Sequence, residues 1–150
     1  MYFVDRNLIE VALTYMESSI EHLEKLTDIE ESFTEQLALE RIAMIVIESI
    51  IDVGNSMIDG FIMRDPGSYE DIVDILEDEK VIDHIQANHL KKIVSKRKAL
   101  VQQFQKIDHQ SLQELLNGHK DALLSFPTQV RRYLIQELGP VSAFIPKQDQ

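Results

Sequence analysis

The chain of 150 residues has no cysteine, five glycines and four prolines. Without cysteine there is no disulfide, no thiolate nucleophile and no sulfur ligand for a metal. So few turn-formers argue against an all-β architecture built on many tight turns. No run of 18 consecutive apolar residues occurs, so no membrane span is expected. The opening residues, Met1-Tyr2-Phe3-Val4-Asp5-Arg6, lack the basic start, apolar run and small-residue cleavage site of a signal peptide. A cytoplasmic protein is the expectation. Basic residues are in the minority, 15 against 26 acidic, for a net charge of −11. A polyanion such as RNA is repelled at long range and is held only where basic residues gather locally.

Other motifs are missing too. There is no Gly-rich phosphate loop, no nucleophile elbow and no His-Glu-x-x-His. The paired Glu-x-x-His of di-iron bundles is absent. None of the five histidines, His22, His84, His89, His109 and His119, has metal-ligand spacing to another; each reads as a surface or capping residue. No metal and no cofactor is expected.

What is present is helical periodicity. Ile9, Leu13, Met16, Ile20 and Leu23 step by four and three along one face, predicting a helix from about Asp5 to Leu26. Ser32-Phe33-Thr34-Glu35 fits a capping box, with the Ser side chain on the third amide and the Glu reaching back. The long apolar stretch after it, from Leu37 to Ile58, predicts a central helix, with Gly54 and Gly60 as places to bend or stop. Arg64-Asp65-Pro66-Gly67 reads as a loop, Ser68 as the cap of a third helix, and Val81-Ile82 as an apolar plug. Asp83 caps a fourth helix that runs through Leu90, Ile93, Val94, Leu100, Val101 and Phe104 and breaks near Asp108. A fifth spans about Ser111 to Ser125, weakened at Gly118. Pro127 starts a last segment that Gly139-Pro140 stops. One domain over 1–138 and a tail over 139–150, with Phe144 and Ile145 available to a partner, is the expected organisation.

Two basic clusters stand out in this acidic chain: Lys91-Lys92 through Arg97-Lys98, and Arg131-Arg132. They are either a solvated face or a strip that meets phosphate. Arg97 shares a helix face with Ile93, Val101 and Phe104. A guanidinium on an apolar stripe needs a partner. That partner is a carboxylate, with Asp52 and Asp59 within reach, or an anion, since Arg offers a fork of donors suited to phosphate.

Arg97, Gln102 and Phe104 stand at the spacing of the Arg-x4-His-x-Tyr motif. Around them, Ala38-Leu39-Glu40-Arg41, Ile51-Asp52-Val53-Gly54-Asn55, Asp65-Pro66-Gly67-Ser68-Tyr69-Glu70-Asp71-Ile72, Leu90-Lys91-Lys92-Ile93 and Ile107-Asp108 follow in order. This ordered set resembles the HepT-like family of the HEPN superfamily, and its YutE-like branch in particular. The resemblance implies an all-α helical bundle of the nucleotidyltransferase substrate-binding-subunit type, with five to six helices. It also implies a homodimer that pairs the motif-bearing helices around a cleft. Its ribonucleases cut RNA without metal, and many are toxins paired with a nucleotidyltransferase antitoxin that can modify the motif tyrosine.

Here the motif is degenerate. Gln102 stands where the family has His, and Phe104 where it has Tyr, so Arg97 is the one matching catalytic residue. Metal-free cleavage needs an acid or base near neutral pH, which Gln cannot supply. The expected function is therefore a HepT-like protein with weak or no ribonuclease activity and a retained RNA- or nucleotide-binding cleft around Arg97. The alternative is a non-catalytic dimeric interaction module in which Arg97 is structural. A third reading, a ribonuclease that uses His109, requires a histidine within reach of Arg97.

Overall fold

The computed structural model describes residues 3–140, and every regular element among them is helical. Asp5 caps α1 (Arg6–Glu21), its carboxylate accepting the Leu8 amide at 3.0 Å. Ile9, Leu13, Met16 and Ile20 are all buried, as their spacing predicts. The helix is shorter than expected, because His22–Lys25 tighten into a 3-10 turn that swings the chain toward the loop before α2.

α2 (Phe33–Gly60) is the long central helix, and it packs against α1, α3 (Tyr69–Asp78), α4 (His84–Val94), α5 (Arg97–Gln102) and α6 (His109–Gly118). Ser32 Oγ accepts the Glu35 amide at 3.1 Å, as the box predicts. Its other half differs: the Glu35 carboxylate accepts the Asp28 amide at 2.7 Å. The Ser32 amide is already bonded to the Asp28 carbonyl at 2.9 Å, so the carboxylate reaches the next orphan donor and ties the preceding loop to the helix. Gly54 does not stop α2, which continues to Gly60. It is a point of close approach, where a β-carbon would collide with the Ile72 side chain of α3.

Ser68 and Asp83 cap α3 and α4 as expected, at 3.0 Å to the Asp71 amide and 2.7 Å to the Gln86 amide. Val81 and Ile82 are buried between these helices. Arg64 forks onto Asp71 at 2.9 and 3.0 Å and steadies the loop before α3.

The expected fourth helix is two helices, which adds one element to the bundle. Ser95 Oγ donates to the Lys92 carbonyl at 2.7 Å, and the Lys96 amide turns to the Ile93 carbonyl at 3.1 Å instead of one residue further back. This tightening separates α4 from α5. α5 ends at Gln102, so Phe104 lies in the turn beyond it. The final helices also divide differently. α6, capped by Asp108, ends at Gly118, and α7 (Lys120–Leu138) runs unbroken through Pro127. Proline lacks one helical hydrogen bond, but Leu123, Phe126, Pro127 and Val130 are all buried, and their packing outweighs that loss. Arg131 joins α7 to α1 through Glu10 and Glu17, with four contacts of 2.7–3.0 Å.

The expected tail lies outside the described residues beyond Pro140. At its start, Gly139 adopts a φ of 82° and its carbonyl accepts Arg6 Nη1 at 3.0 Å. No helix among the described residues is long and apolar enough to cross a membrane.

Candidate functional site around Arg97

Arg97 begins α5 where that short helix crosses α2. Its Nε donates to Glu48 Oε2 at 2.7 Å, and its guanidinium carbon lies 4.6 Å from the centre of the Tyr69 ring. Three elements thus meet at one cation: α2 supplies the carboxylate, the first residue of α3 supplies an aromatic face, and α5 supplies the arginine. The Glu48 contact raises the Arg97 pKa, so the group stays a cation throughout. Nη1 and Nη2 donate to no protein group among the described residues. The side chain is 29% exposed. Held through Nε and the ring, the guanidinium keeps its outer pair of N–H groups for another acceptor.

The partner is Glu48, not the Asp52 or Asp59 expected from sequence. Asp52 lies one turn along α2, where burial and the nearby Glu48 charge push its carboxyl pKa up. The surroundings also differ from an apolar stripe. Ile93 is buried and belongs to α4, across the break from Arg97, and Val101 and Phe104 are 45% and 58% exposed. Gln102 is exposed as well. His109 Nε2 contacts Glu40 Oε2 at 2.6 Å. Glu40 precedes Glu48 by eight residues on α2, about 12 Å of helix rise. Within the chain the fold therefore seats His109 away from Arg97.

The basic clusters resolve unequally. Arg131 is taken up by Glu10 and Glu17, and Lys91 by Asp74 at 2.7 Å. Lys92, Lys96, Lys98 and Lys106 have no carboxylate within ion-pair distance among the described residues. From His84 to Ile107 the chain carries five lysines, one arginine and no acid. This segment is the positive region of an acidic molecule.

One pairing was not visible in the sequence. His89 of α4 and His119, at the α6–α7 junction, bring their Nδ1 atoms within 2.6 Å, with ring centres 4.7 Å apart. Burial, then the nearby His89 and Lys92 charges, lower the His119 pKa. No group of three or more potential metal ligands occurs among the described residues.

The helical bundle that carries Arg97 has the fold of a HEPN toxin, and the comparisons give the family. The profile described as "Ribonuclease HepT-like" matches residues 9–130, and the chain belongs to that family. It is similar to a protein of Bacillus subtilis (strain 168) described as "Putative RNase YutE", 51% identical over 144 residues that cover 96% of this chain and 99% of the relative. The solved structure of YutE, described as a cytosolic protein of unknown function, superposes with a TM-score of 0.91 over 96% of this chain and all of that one. A tri-AMPylated HEPN toxin of Shewanella oneidensis, solved with its MNT antitoxin, shares the fold at 18% identity, with a TM-score of 0.75 over 83% of this chain and 96% of that chain.

Proposed function

We propose that this chain is a cytoplasmic, homodimeric HepT-like protein that holds RNA or a nucleotide at Arg97 and has lost most or all of the proton-transfer chemistry of a ribonuclease. The observation that carries this reading is the state of Arg97. Glu48 and Tyr69 fix its guanidinium while the outer N–H pair stays without a protein acceptor among the described residues, beside unpaired lysines. Such a fork suits a phosphate. Arg97 can stabilise the charge that builds up on a phosphoryl group. It cannot deprotonate a 2′-hydroxyl, and neither Gln102 nor Phe104 can replace an acid, a base or a phenol. Belonging to the HepT-like family supports RNA as the ligand class. The toxin–antitoxin neighbours support a nucleotidyltransferase-type antitoxin as a partner.

The proposed dimer pairs the motif-bearing helices, where Val101 of α5 and Phe104 of the turn after it are exposed apolar side chains. The same surface and the Glu48 ion pair favour a second reading, a non-catalytic interaction module in which Arg97 only orders α5 against α2.

Binding of a fluorescent oligoribonucleotide to the wild type and to Arg97→Ala separates the two readings. If Arg97 holds phosphate, the variant binds about tenfold more weakly and the salt slope falls by roughly one unit. An unchanged affinity and slope, with altered self-association, selects the interaction module.

A further inference from the structure

His119 is the single residue between α6, which ends at Gly118, and α7, which begins at Lys120. Its backbone serves both helices. The His119 amide donates to the Leu115 carbonyl at 3.1 Å, and the His119 carbonyl accepts the Leu123 amide at 2.9 Å. Its side chain reaches a third helix. The half-buried ring sets Nδ1 2.6 Å from Nδ1 of His89 on α4.

Two imidazole nitrogens at that distance share one proton, one donating and the other accepting. The contact holds while at least one ring is neutral. When both rings are cations, both Nδ1 atoms carry hydrogen, no acceptor remains, and like charges meet in a half-buried place. The surroundings do not offset this. From α4, Lys92 adds a further positive charge near His119. From α7, Lys120 follows it directly, and its ammonium lies 4.0 Å from Glu24 of the 3-10 turn. The acids nearest along the chain, Glu114 of α6 and Asp121 of α7, are exposed, and neither bonds to a ring among the described residues. Burial, then the His89 and Lys92 charges, hold the His119 ring below the ordinary histidine value, in keeping with a site that resists a second proton. A separate tie between α4 and α7, from buried Gln86 Nε2 to the Ala122 carbonyl, does not titrate.

We infer that the His89–His119 pair is a proton-operated latch: with one shared proton it fastens the α6–α7 junction to α4, and a second proton releases the junction while the bundle stays folded. The latch is closed at neutral pH and opens on acidification, because release needs both rings charged. Gln86 keeps α7 attached to α4 in the open form, so the movement is confined to the end of α6 and the first turn of α7.

Ring nitrogen-15 shifts of the full chain, followed from about pH 8 to about pH 5, read the protons, and amide hydrogen exchange across the same range reads the junction. The pair should titrate in two steps. In the second step the His119 and Leu123 amides should lose about tenfold or more of their protection, corrected for intrinsic exchange, while the Leu13 and Ile50 amides keep theirs. In His89→Asn the loss should shrink to less than about twofold, and His119 should titrate once, at a higher pH than the second step of the wild type. Three results from the wild type alone would overturn the inference. They are two charged rings with the junction still protected, no second proton before the bundle unfolds, and an equal loss at Leu13 and Ile50, which is acid unfolding of the whole. An undiminished acid loss at the junction of His89→Asn would overturn it as well.

Discussion

Replacing Gly54 with Ala tests how the α2–α3 approach builds the site. A methyl group in mid-helix gains about 1 kcal/mol of helix propensity over glycine. Against this, the new β-carbon collides with Ile72, and both residues are buried. Ile72 is β-branched and has little rotamer freedom to yield. Overpacking of this kind costs about 1–3 kcal/mol, and the severity of the collision places it in the upper half of that range. The net expectation is a loss of about 1–2 kcal/mol, or roughly 2–8 °C in Tm for a chain of this size.

Urea unfolding at fixed protein concentration measures it, with an unchanged m-value as the check that only stability moved. In an Ile72→Ala background the collision is removed, so Gly54→Ala should stabilise by about 1 kcal/mol, a coupling of about 2–3 kcal/mol between the two positions. Tyr69 begins the helix that carries Ile72, so the single variant should also shift the Arg97 Nε–H resonance. Equal destabilisation in both backgrounds would refute the reasoning.

Glu48→Gln keeps an acceptor for Arg97 Nε but removes a charge beside the proposed phosphate site; RNA should bind a few-fold more tightly at low salt, and the gain should vanish near 1 M salt. Arg131→Met removes the tie to Glu10 and Glu17 on a side chain about a third exposed, and should cost about 1–2 kcal/mol in urea unfolding. His119 has a lowered pKa in the fold, so below the unfolded value of 6.5 the unfolded chain binds more protons there. Its contribution to stability should therefore be fully present above that pH and decline as pH falls toward the lower folded value. His119→Asn should flatten this slope between neutral pH and mildly acid pH in denaturant titrations.

Much of the fold could be read locally. Ser32, Ser68 and Asp83 announce helix starts because a short polar side chain before an apolar run satisfies an orphan amide. The stripe of Ile9, Leu13, Met16 and Ile20 declares its buried face by spacing alone. The split between α4 and α5 was not legible, because it hangs on one serine hydroxyl bonding its own backbone inside a pattern that otherwise continues. Pro127 misleads for the opposite reason: its local penalty is real, but the burial of Phe126 and Val130 on either side prevails.

At the site, Arg97 was visible from its spacing to Gln102 and Phe104. Glu48 was missed, although a lone carboxylate between Met44-Ile45-Val46-Ile47 and Ser49-Ile50-Ile51 is a signal that something pairs with it. Tyr69 beneath Arg97, and His89 against His119, depend on contacts 28 and 30 residues apart in the chain. Helical periodicity carries no information at that range.

Arg97 is proposed to hold phosphate in a protein whose proton-transfer groups have been replaced by Gln102 and Phe104. RNA cleavage by purified protein without added metal tests it most directly, comparing the wild type, Arg97→Ala and the double variant Gln102→His/Phe104→Tyr. Little or no cleavage is expected from the wild type, and measurable cleavage from the double variant that is lost again when Arg97→Ala is added. Robust cleavage by the wild type that Arg97→Ala abolishes would contradict it and make this chain a working ribonuclease.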